Sequence, residues 1–437
     1  MLIILLGLTS ICQAASISGT VTNSTGKTGR IYIKATPIGW GGNSSYGISI
    51  PSTTSASYTI SGLPDTFSGT PNTATYTLSA FVDVQGAGVQ HANDPTVTLG
   101  SPVTIGSISA NLTLATPSTV APQADEIIAY QGNGGNTVLW RNYESDSGLP
   151  IADYYVVSWQ EANGTGAGSQ TIYSGENTYM FFHKNGTAST QYKVTAYAAG
   201  TSQTTNSGNW IGVTSRTGGV TVSGSVTLSG VGTSKPLVVL LKQDIPNQYP
   251  VFYSAIISTP STSGANSYSI SNVPAGTYTF HAFLDVNQDG VHGPGDLDDQ
   301  PGIYSSEEVV VGASPVAVAS KTITQRNADA TIRTNNWTSD GINFNKNLGF
   351  AVAAQAKQPI NVFVSGSGLL AGTPIGISGD NAGDFRIWPG LTATPVEGGT
   401  YTYTVYYADS TSEQFIVTVP AFLTSFATPT SPIGTVT

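Results

Sequence analysis

The stretch TYTLSAFVDVQGAGVQ, residues 75–90, alternates polar and apolar side chains and then breaks into glycines. Period-two alternation places successive side chains on opposite faces of a β-strand, and a Gly-rich break marks the turn that follows. The same pattern recurs in SYTISGLP (57–64), YVVSWQ (155–160), QYKVTAYAA (191–199) and TYTYTVYYAD (400–409). No long stretch carries a helical apolar face. The sequence therefore predicts an all-β protein built of antiparallel β-sandwiches in tandem.

Composition limits the number of domains and the class of partner. The chain has 437 residues, of which 9% are charged, and 50 are glycine. At roughly 100 to 150 residues per domain, three or four domains are expected, and we assign four. The net charge of -10 disfavours nucleic acid as a partner, because binding to phosphates depends on clustered Lys and Arg.

The first residues predict export. Residues 1–15 form an apolar run followed by small residues, with Cys12 and Ala14 at the −3 and −1 places of a signal-peptide cleavage site. The basic segment that opens such a leader is missing, so we expect the true start upstream. The alternative is a lipoprotein acylated on Cys12, which the bulky Ile11 opposes. No later run is long and apolar enough for a transmembrane helix. We expect a secreted or cell-surface protein with no transmembrane segment.

An internal repeat divides the chain. Four pairs of matching blocks begin at Ile17 and Val222, Ser57 and Ser267, Thr75 and Thr277, and Gly100 and Gly312. Blocks in the same order imply two copies of one domain, separated by a different module. We place the copies at 16–117 and 218–326.

The repeats resemble the carboxypeptidase regulatory-like and collagen-adhesin B-type families of prealbumin-like sandwiches. The resemblance rests on SYSISNVPAGTYTFHAF, residues 267–283. It implies a noncatalytic spacer or binding module of a kind often found on bacterial surfaces. Copy 1 departs from the pattern, since it has a longer insertion between Pro64 and Thr75 than copy 2 has between Pro274 and Thr277.

The second copy contains a candidate calcium loop. Counted from position 1, the donors at positions 1, 3, 5, 7 and 12 are Asp285, Asn287, Asp289, Val291 through its carbonyl, and Asp296, with Gly290 at position 6. This is the order of oxygen donors in a 12-residue calcium loop, where the glycine supplies a positive φ. A strand leads in, as in the calcium loops of adhesin B-type repeats. The alternative is a solvated acidic turn.

Charge favours an ion in this loop. Three aspartates of the loop, together with Asp298 and Asp299, lie in one short segment, and no Lys or Arg occurs between Lys242 and Lys321. Like charges so close together repel, and a divalent cation relieves that repulsion. An arginine from another domain would also pair with them.

The first copy carries a degenerate version of the same loop. Its corresponding residues are Asp83, Gln85, Val89 and Asp94, with Ala87 at position 5. Losing the carboxylate at position 5 weakens calcium binding, because affinity follows the charge of the ligands. A plain turn is the leading interpretation there, and calcium is the alternative.

The remaining segments are assigned by pattern. Residues 118–217 resemble a fibronectin type III domain, in which Trp140 packs in the core and the hydroxyl of Tyr192 ties a corner. Residues 327–420 alternate like an immunoglobulin-like sandwich. Residues 421–437 are interpreted as a tail or the start of a further domain.

Catalytic signatures are missing from the sequence. It contains no Gly-x-Ser-x-Gly, His-Glu-x-x-His or P-loop pattern. His292 lies inside the calcium loop, where we expect it to face solvent because calcium prefers oxygen. Four tryptophans border loop residues and are candidate sugar-stacking platforms or packing residues: Trp40, Trp210, Trp337 and Trp388.

These observations favour a noncatalytic string of four sandwiches, secreted or displayed on a cell surface, that acts as a calcium-stiffened stalk or adhesive module. Its expected partner is an extracellular glycan or protein surface. The alternative is a carbohydrate-binding accessory region of a larger secreted enzyme. A hydrolase ranks third, since it needs a cleft with paired carboxylates.

Overall fold

A computed structural model describes most of the chain. The described residues are 15–38, 45–65, 73–107, 109–117, 124–142, 149–173, 180–198, 201–204, 209–232, 234–244, 250–299, 307–337, 345–369, 372–377, 384–389, 391 and 394–422. Only the backbone is described at 124–125, 142, 201–204, 335–337 and 345–346. The expected leader up to Ala14, Trp40, the side chain of Trp337 and the tail from 423 lie outside the described residues.

The all-β prediction is confirmed. Every regular element among the described residues is a strand, and the 32 strands pair mostly antiparallel within separate sheets. In the same part of the chain, no helix has the length and apolar character needed to cross a membrane.

The first copy folds as a sandwich of two sheets. Its strands are β1 (Ala15–Asn23), β2 (Arg30–Pro37), β3 (Tyr46–Ile50), β4 (Ser55–Leu63), β5 (Thr75–Asp83), β6 (Thr96–Thr98), β7 (Val103–Thr104) and β8 (Leu112–Leu114). One sheet has the order β4-β1-β8, and the other has the order β3-β2-β5-β6 with β7 paired to β5. The burial pattern of β5 puts the apolar members of its alternation inside.

Residues 124–214 form the second sandwich. Its strands are β9 (Ala124–Gly132), β10 (Gly135–Asn142), β11 (Tyr154–Glu161), β12 (Gly168–Tyr173), β13 (Met180–His183), β14 (Thr190–Ala198), β15 (Thr201–Thr204) and β16 (Ile211–Thr214). Trp140 is buried against Tyr155, with ring centroids 5.2 Å apart. Tyr192 is also buried, and its hydroxyl contacts Asn136 Nδ2 at 2.9 Å and His183 Nδ1 at 2.8 Å. Trp140 therefore packs in the core as predicted, and the hydroxyl of Tyr192 is held by side chains of β10 and β13.

The second copy repeats the first. Its strands are β17 (Val220–Ser229), β18 (Leu237–Gln243), β19 (Val251–Ile257), β20 (Ala265–Val273), β21 (Gly276–Leu284), β22 (Leu297–Asp298), β23 (Glu307–Val311), β24 (Val316–Ala317) and β25 (Lys321–Thr324). Its sheets have the orders β20-β17-β24, with β25 paired to β17, and β19-β18-β21-β22, with β23 paired to β21.

The two copies share the register of their strands. Phe81 of β5 pairs with Thr96 of β6, and Phe283 of β21 pairs with Asp298 of β22. These are the positions that the sequence repeat makes equivalent, because Thr75 corresponds to Thr277. Residues can therefore be compared between the copies one by one.

Residues 328–422 form the fourth sandwich. Its strands are β26 (Ala328–Trp337), β27 (Asn345–Ala354), β28 (Pro359–Gly366), β29 (Thr373–Ile375), β30 (Phe385–Ile387), β31 (Thr400–Tyr407) and β32 (Ser412–Thr418). Its sheets have the orders β26-β27-β30 and β29-β28-β31-β32. The buried rings of Phe350, Tyr401 and Tyr403 fill the space between them.

The four sandwiches do not form the open string that we expected. One cluster of buried apolar side chains runs through both the first and the fourth sandwich. At this junction the Ser49 amide donates to Asn361 Oδ1 at 2.6 Å, and Ser49 Oγ donates to the Ile360 carbonyl at 2.7 Å. The ends of the predicted string are therefore in contact.

The second and third sandwiches are joined in a similar way. Phe182 of β13 packs against Phe283 of β21, with ring centroids 5.6 Å apart, in a cluster that includes Val238 and Leu240 of β18. The whole run LVVLL, residues 237–241, is buried, so this strand is covered on both faces. A continuous apolar run of this kind is typical of a strand buried on both sides.

Candidate calcium site

The loop 285–296 joins β21 to β22, and this hairpin sets its geometry. Leu284 pairs with Leu297, so the residues immediately inside that pair, Asp285 and Asp296, start and close the loop side by side. These are positions 1 and 12 of the predicted calcium loop. The hairpin therefore brings together two carboxylates that are far apart in a linear reading.

A third carboxylate joins them. Asp285, Asp289 and Asp296 each offer an oxygen, and these oxygens all lie within 4.8 Å of one another. Asp285 and Asp296 are buried, and Asp289 is half-buried. We call these three residues the acidic trio. The structure thus gathers all three aspartates of the predicted ligand set.

Hydrogen bonds from the loop backbone orient the acidic trio. Asp285 Oδ2 accepts the Gly290 N–H at 3.1 Å, and Asp289 Oδ1 accepts the Val291 N–H at 2.9 Å. Asp296 accepts the N–H groups of Val286 and Gly293 at 2.8 and 3.1 Å. Asp285 Oδ1 is buried and has no hydrogen-bond partner.

The two remaining predicted ligands lie around the trio. Asn287 donates from Nδ2 to Asp289 Oδ2 at 2.9 Å and accepts the Asp289 N–H on Oδ1 at 3.1 Å. The Val291 side chain packs into the core cluster of the second sandwich. Val291 is thus held on the side of the loop that faces residues 124–214.

Burial and mutual repulsion disfavour the ionised form of the trio. The pKa of Asp296 is raised to about 8, chiefly by burial, with the charges of Asp285 and Asp289 also contributing. Burial raises the pKa of Asp285 to about 6, with Asp289 adding to the effect. The pKa of Asp289 is also raised by burial. A divalent cation among these oxygens would favour the charged forms instead.

The other two aspartates of the segment have partners of their own. Asp298 Oδ1 lies 3.1 Å from Arg326 Nη2, and Asp298 Oδ2 lies 3.4 Å from His292 Nε2. Asp299 Oδ1 accepts the Ala282 N–H at 2.9 Å. Five crowded carboxylates were expected, but the structure groups only three of them, the acidic trio. Arg326, which follows Lys321 in the sequence, pairs with Asp298, and Asp299 accepts a backbone hydrogen bond. The case for calcium depends on the acidic trio.

Gly290 meets a strict requirement at position 6. Its φ is 76°, in the left-handed region that favours glycine. A Cβ there would also lie 2.5 Å from the Phe181 ring. The Gly290 carbonyl accepts the Phe182 N–H at 2.7 Å. The loop is thus fitted closely against the second sandwich.

The other side of the loop contacts the fourth sandwich through Gln355. The Gln355 carbonyl accepts the Gly295 N–H at 2.7 Å, and its Oε1 accepts the Asp298 N–H at 3.1 Å. Sequence reasoning missed both Gln355 and Phe182, because no local spacing links them to the loop. The candidate site therefore lies where three sandwiches meet.

The first copy repeats the backbone-to-carboxylate hydrogen bonds of this loop but lacks its third acid. Asp83 is buried and accepts the N–H groups of Ala87 and Gly88 at 3.1 and 2.9 Å, one on each oxygen. Asp94 Oδ2 accepts the His91 N–H at 2.8 Å and lies 3.6 Å from His91 Nδ1. His91 corresponds to Gly293 of copy 2.

The remaining candidates in copy 1 add no acid. Val89 is buried and Gln85 is half-buried. Within the described residues, the groups of three or more acidic, His or Cys side chains that could hold a metal do not include this loop. Copy 1 pairs two carboxylates beside a histidine, where copy 2 gathers three.

The tryptophan candidates differ in exposure. Trp210 is 36% exposed and has Lys193 Nζ 6.0 Å from its ring. Trp388 is half-buried beside Gly349, where a Cβ would meet its ring. Trp210 is therefore the better placed of these two for stacking on a sugar.

The known proteins that resemble this chain are solved structures of low sequence identity. No known family model matches this chain, and neither does any curated protein. A DUF3823 family protein from Bacteroides ovatus has 12% sequence identity, covers 46% of this chain and 99% of its own, and has a TM-score of 0.15. The FN1–FN3 domains of chicken CNTN1 have 7% identity, cover 69% of this chain and 100% of their own, and have a TM-score of 0.15. BcpA, the major pilin subunit of Bacillus cereus, was solved as a variant with 9% identity that covers 70% of this chain and 99% of its own, also with a TM-score of 0.15. The assignment of this chain to the β-sandwich class rests on its own paired sheets.

Proposed function

We propose that this chain is a noncatalytic multidomain protein of the secreted or cell-surface adhesion type, stiffened by one calcium ion. The proposed ligands are Asp285, Asn287, Asp289, the carbonyl of Val291, and Asp296. The observation that carries the proposal is the convergence of the acidic trio, with all three oxygens within 4.8 Å and Asp285 Oδ1 buried without a hydrogen bond.

The chemistry of the trio fits calcium. Calcium binds oxygen donors at about 2.3 to 2.6 Å, closer than a water molecule approaches them. An ion can therefore reach an oxygen such as Asp285 Oδ1 that is shielded from water. The ion also offsets the burial and the mutual repulsion that raise the pKa of Asp285 and Asp296.

The place of the loop gives the ion a mechanical role. The loop accepts a hydrogen bond from Phe182 of the second sandwich and donates one to Gln355 of the fourth. Ordering the loop therefore fixes two junctions at once. Fixed junctions give the protein a defined shape, which a protein that presents a binding surface outside the cell requires. We propose an extracellular glycan or protein surface as its partner.

Calorimetry of the full chain with calcium tests the proposal. We expect one site with a Kd on the order of 10⁻⁴ to 10⁻³ M, as in extracellular modules. Asp289→Ala should abolish the heat of calcium binding. Alanine is the residue that copy 1 has at the equivalent position, Ala87. Asp244→Asn is the matched control, because Asp244 is an exposed aspartate paired with Lys242 outside the loop. Equal heats from wild type and Asp289→Ala, or none from wild type, would reject the calcium site.

A carbohydrate-binding accessory region is the second candidate function. The exposed face of Trp210, beside Lys193, suits stacking against a sugar ring. On this alternative, a glycan array shows binding that Trp210→Ala removes and Asp289→Ala leaves intact. Glycan binding that persists in both variants would contradict this alternative and assign Trp210 a packing role.

A further inference from the structure

Two histidines and an aspartate form a second cluster in copy 2. His281 lies on β21, His292 lies in the loop and Asp298 lies on β22, and each offers one ligand atom within 4.8 Å of the others. His292 Nε2 and Asp298 Oδ2 are 3.4 Å apart. The rings of His281 and His292 meet nearly edge to face, with centroids 4.6 Å apart. We call these three residues the His-His-Asp cluster.

The spacing suits a tetrahedral metal ion. Zinc binds histidine nitrogen and carboxylate oxygen at about 2.0 to 2.2 Å, which places neighbouring ligand atoms roughly 3.3 to 3.5 Å apart. The distance of 3.4 Å between His292 Nε2 and Asp298 Oδ2 falls in this range. The mixture of nitrogen and oxygen donors also favours a first-row transition metal over calcium.

The cluster is open to solvent. The side chain of His292 is 38% exposed, that of His281 is 21% exposed, and that of Asp298 is 11% exposed. An ion can therefore enter, and three protein ligands leave a fourth coordination position for water.

Neighbouring groups hold the ligands in place. Asp299 Oδ1 lies 3.8 Å from His281 Nδ1, which leaves the opposite ring nitrogen of His281 for a metal. Arg326 Nη2 binds Asp298 Oδ1 at 3.1 Å, which leaves Asp298 Oδ2 toward His292. Carboxylates behind ligating histidines, and hydrogen bonds to ligating carboxylates, are the usual supports of metal sites.

Copy 1 provides an internal comparison. At the equivalent positions it has Ser79, Gln90 and Thr96, and none of them is a strong transition-metal ligand. Gln90 Nε2 donates to Thr96 Oγ1 at 3.3 Å, so the pair that corresponds to His292 and Asp298 is also in contact there. The same backbone therefore carries an ordinary polar contact in one copy and three metal-binding side chains in the other.

We propose that His281, His292 and Asp298 bind a divalent transition metal ion such as zinc, at a site separate from the acidic trio. The two sites differ in their donor atoms. The acidic trio offers only carboxylate oxygens, whereas the His-His-Asp cluster offers two imidazole nitrogens and one carboxylate oxygen. The proposal stands whether or not the trio binds calcium, because the two sites have no ligand in common.

Zinc calorimetry on the full chain, in buffer with millimolar calcium, tests this proposal. We expect one zinc per chain, and at least a tenfold loss of affinity in the double variant His281→Ser with His292→Gln. Serine and glutamine are the residues that copy 1 has at the equivalent positions, Ser79 and Gln90. His91 and His183 remain in the double variant, so zinc binding that is unchanged there would assign the metal to them and overturn the proposal. Absence of binding in wild type would also overturn it.

Two further variants separate folding from binding. Circular dichroism of the double variant should match that of wild type. If the double variant is unstable, His292→Gln alone replaces it in the test. His292 lies at an exposed loop position, and its substitution should also lower the zinc affinity. Asp289→Ala should keep the zinc site while losing any calcium heat. Visible absorption of bound cobalt, present in wild type and lost in His292→Gln, gives an independent readout of nitrogen ligation. Cobalt absorption that persists in that variant would contradict the assignment.

Discussion

The amide of Phe182 donates a hydrogen bond of 2.7 Å to the carbonyl of Gly290, although the two residues belong to different sandwiches. Gly290 is also the residue at position 6 of the candidate calcium loop. One residue therefore serves both the turn of the loop and the contact between domains. The loop and the junction should respond together to substitution.

Gly290→Ala should destabilise the protein by about 1 to 3 kcal/mol, because its positive φ is strained for alanine and its Cβ would clash with the Phe181 ring. Denaturant unfolding measures the change. Gly86→Ala is the matched control, since Gly86 has a φ of 70° with nothing near its Cβ position. Its counterpart Gln288 already adopts a φ of 61°. Equal losses from both variants would show that the contact with Phe181 adds nothing.

Gln355→Ala should cost about 1 to 3 kcal/mol, because it removes the side-chain oxygen that accepts the N–H of the buried Asp298. Limited proteolysis should also cut the region near the loop faster. Gln414→Ala is the control, because the exposed Gln414 side chain makes only a long contact with Thr404 at 3.3 Å. A stability equal to wild type would show that Gln355 does not support the junction.

Stability should fall as pH rises in chelator, and it should fall less steeply in calcium. The folded pKa values of Asp285 and Asp296, about 6 and about 8, stand above the ordinary 3.8. The folded chain then binds more protons than the unfolded chain, so stability in chelator should fall as pH rises from about 4 to about 8.

Calcium requires the ionised carboxylates, so its affinity should rise over the same pH range. At millimolar calcium and pH 8, the gain should be about 0.4 to 1.4 kcal/mol for the expected Kd. Thermal unfolding at pH 5 and pH 8, with calcium and with chelator, measures both effects. Parallel pH profiles in the two conditions would contradict the assignment of the trio.

The contact between the first and fourth sandwiches predicts a compact particle. Small-angle scattering should give a radius of gyration of roughly 22 to 28 Å, near the value for a compact chain of this length. Asn361→Ala removes the acceptor of the Ser49 amide and should increase the radius or the flexibility. A markedly larger radius for wild type would show that the chain is an open string in solution.

Much of the fold follows from local sequence. The alternation in TYTLSAFVDV predicts a strand with one buried face, and β5 shows this pattern up to Ala80, beyond which both faces are buried. The matching blocks predict two copies of one sandwich, and the paired registers of Phe81 and Phe283 agree. The arrangement of the sandwiches was harder to predict. The buried run LVVLL, residues 237–241, was the available signal, since alternation fails where both faces are covered.

By itself, the sequence determined the strands, the repeat and the spacing of Asp285 and Asp296, because each depends on a period or a hairpin within a short length of chain. Only the tertiary structure decided which carboxylates stand together, since Arg326 and Gln355 reach the loop from distant strands. Side-chain alternation states which face of a strand is buried, but not which distant surface covers it. That choice depends on the packing of whole domains, for which no local pattern exists.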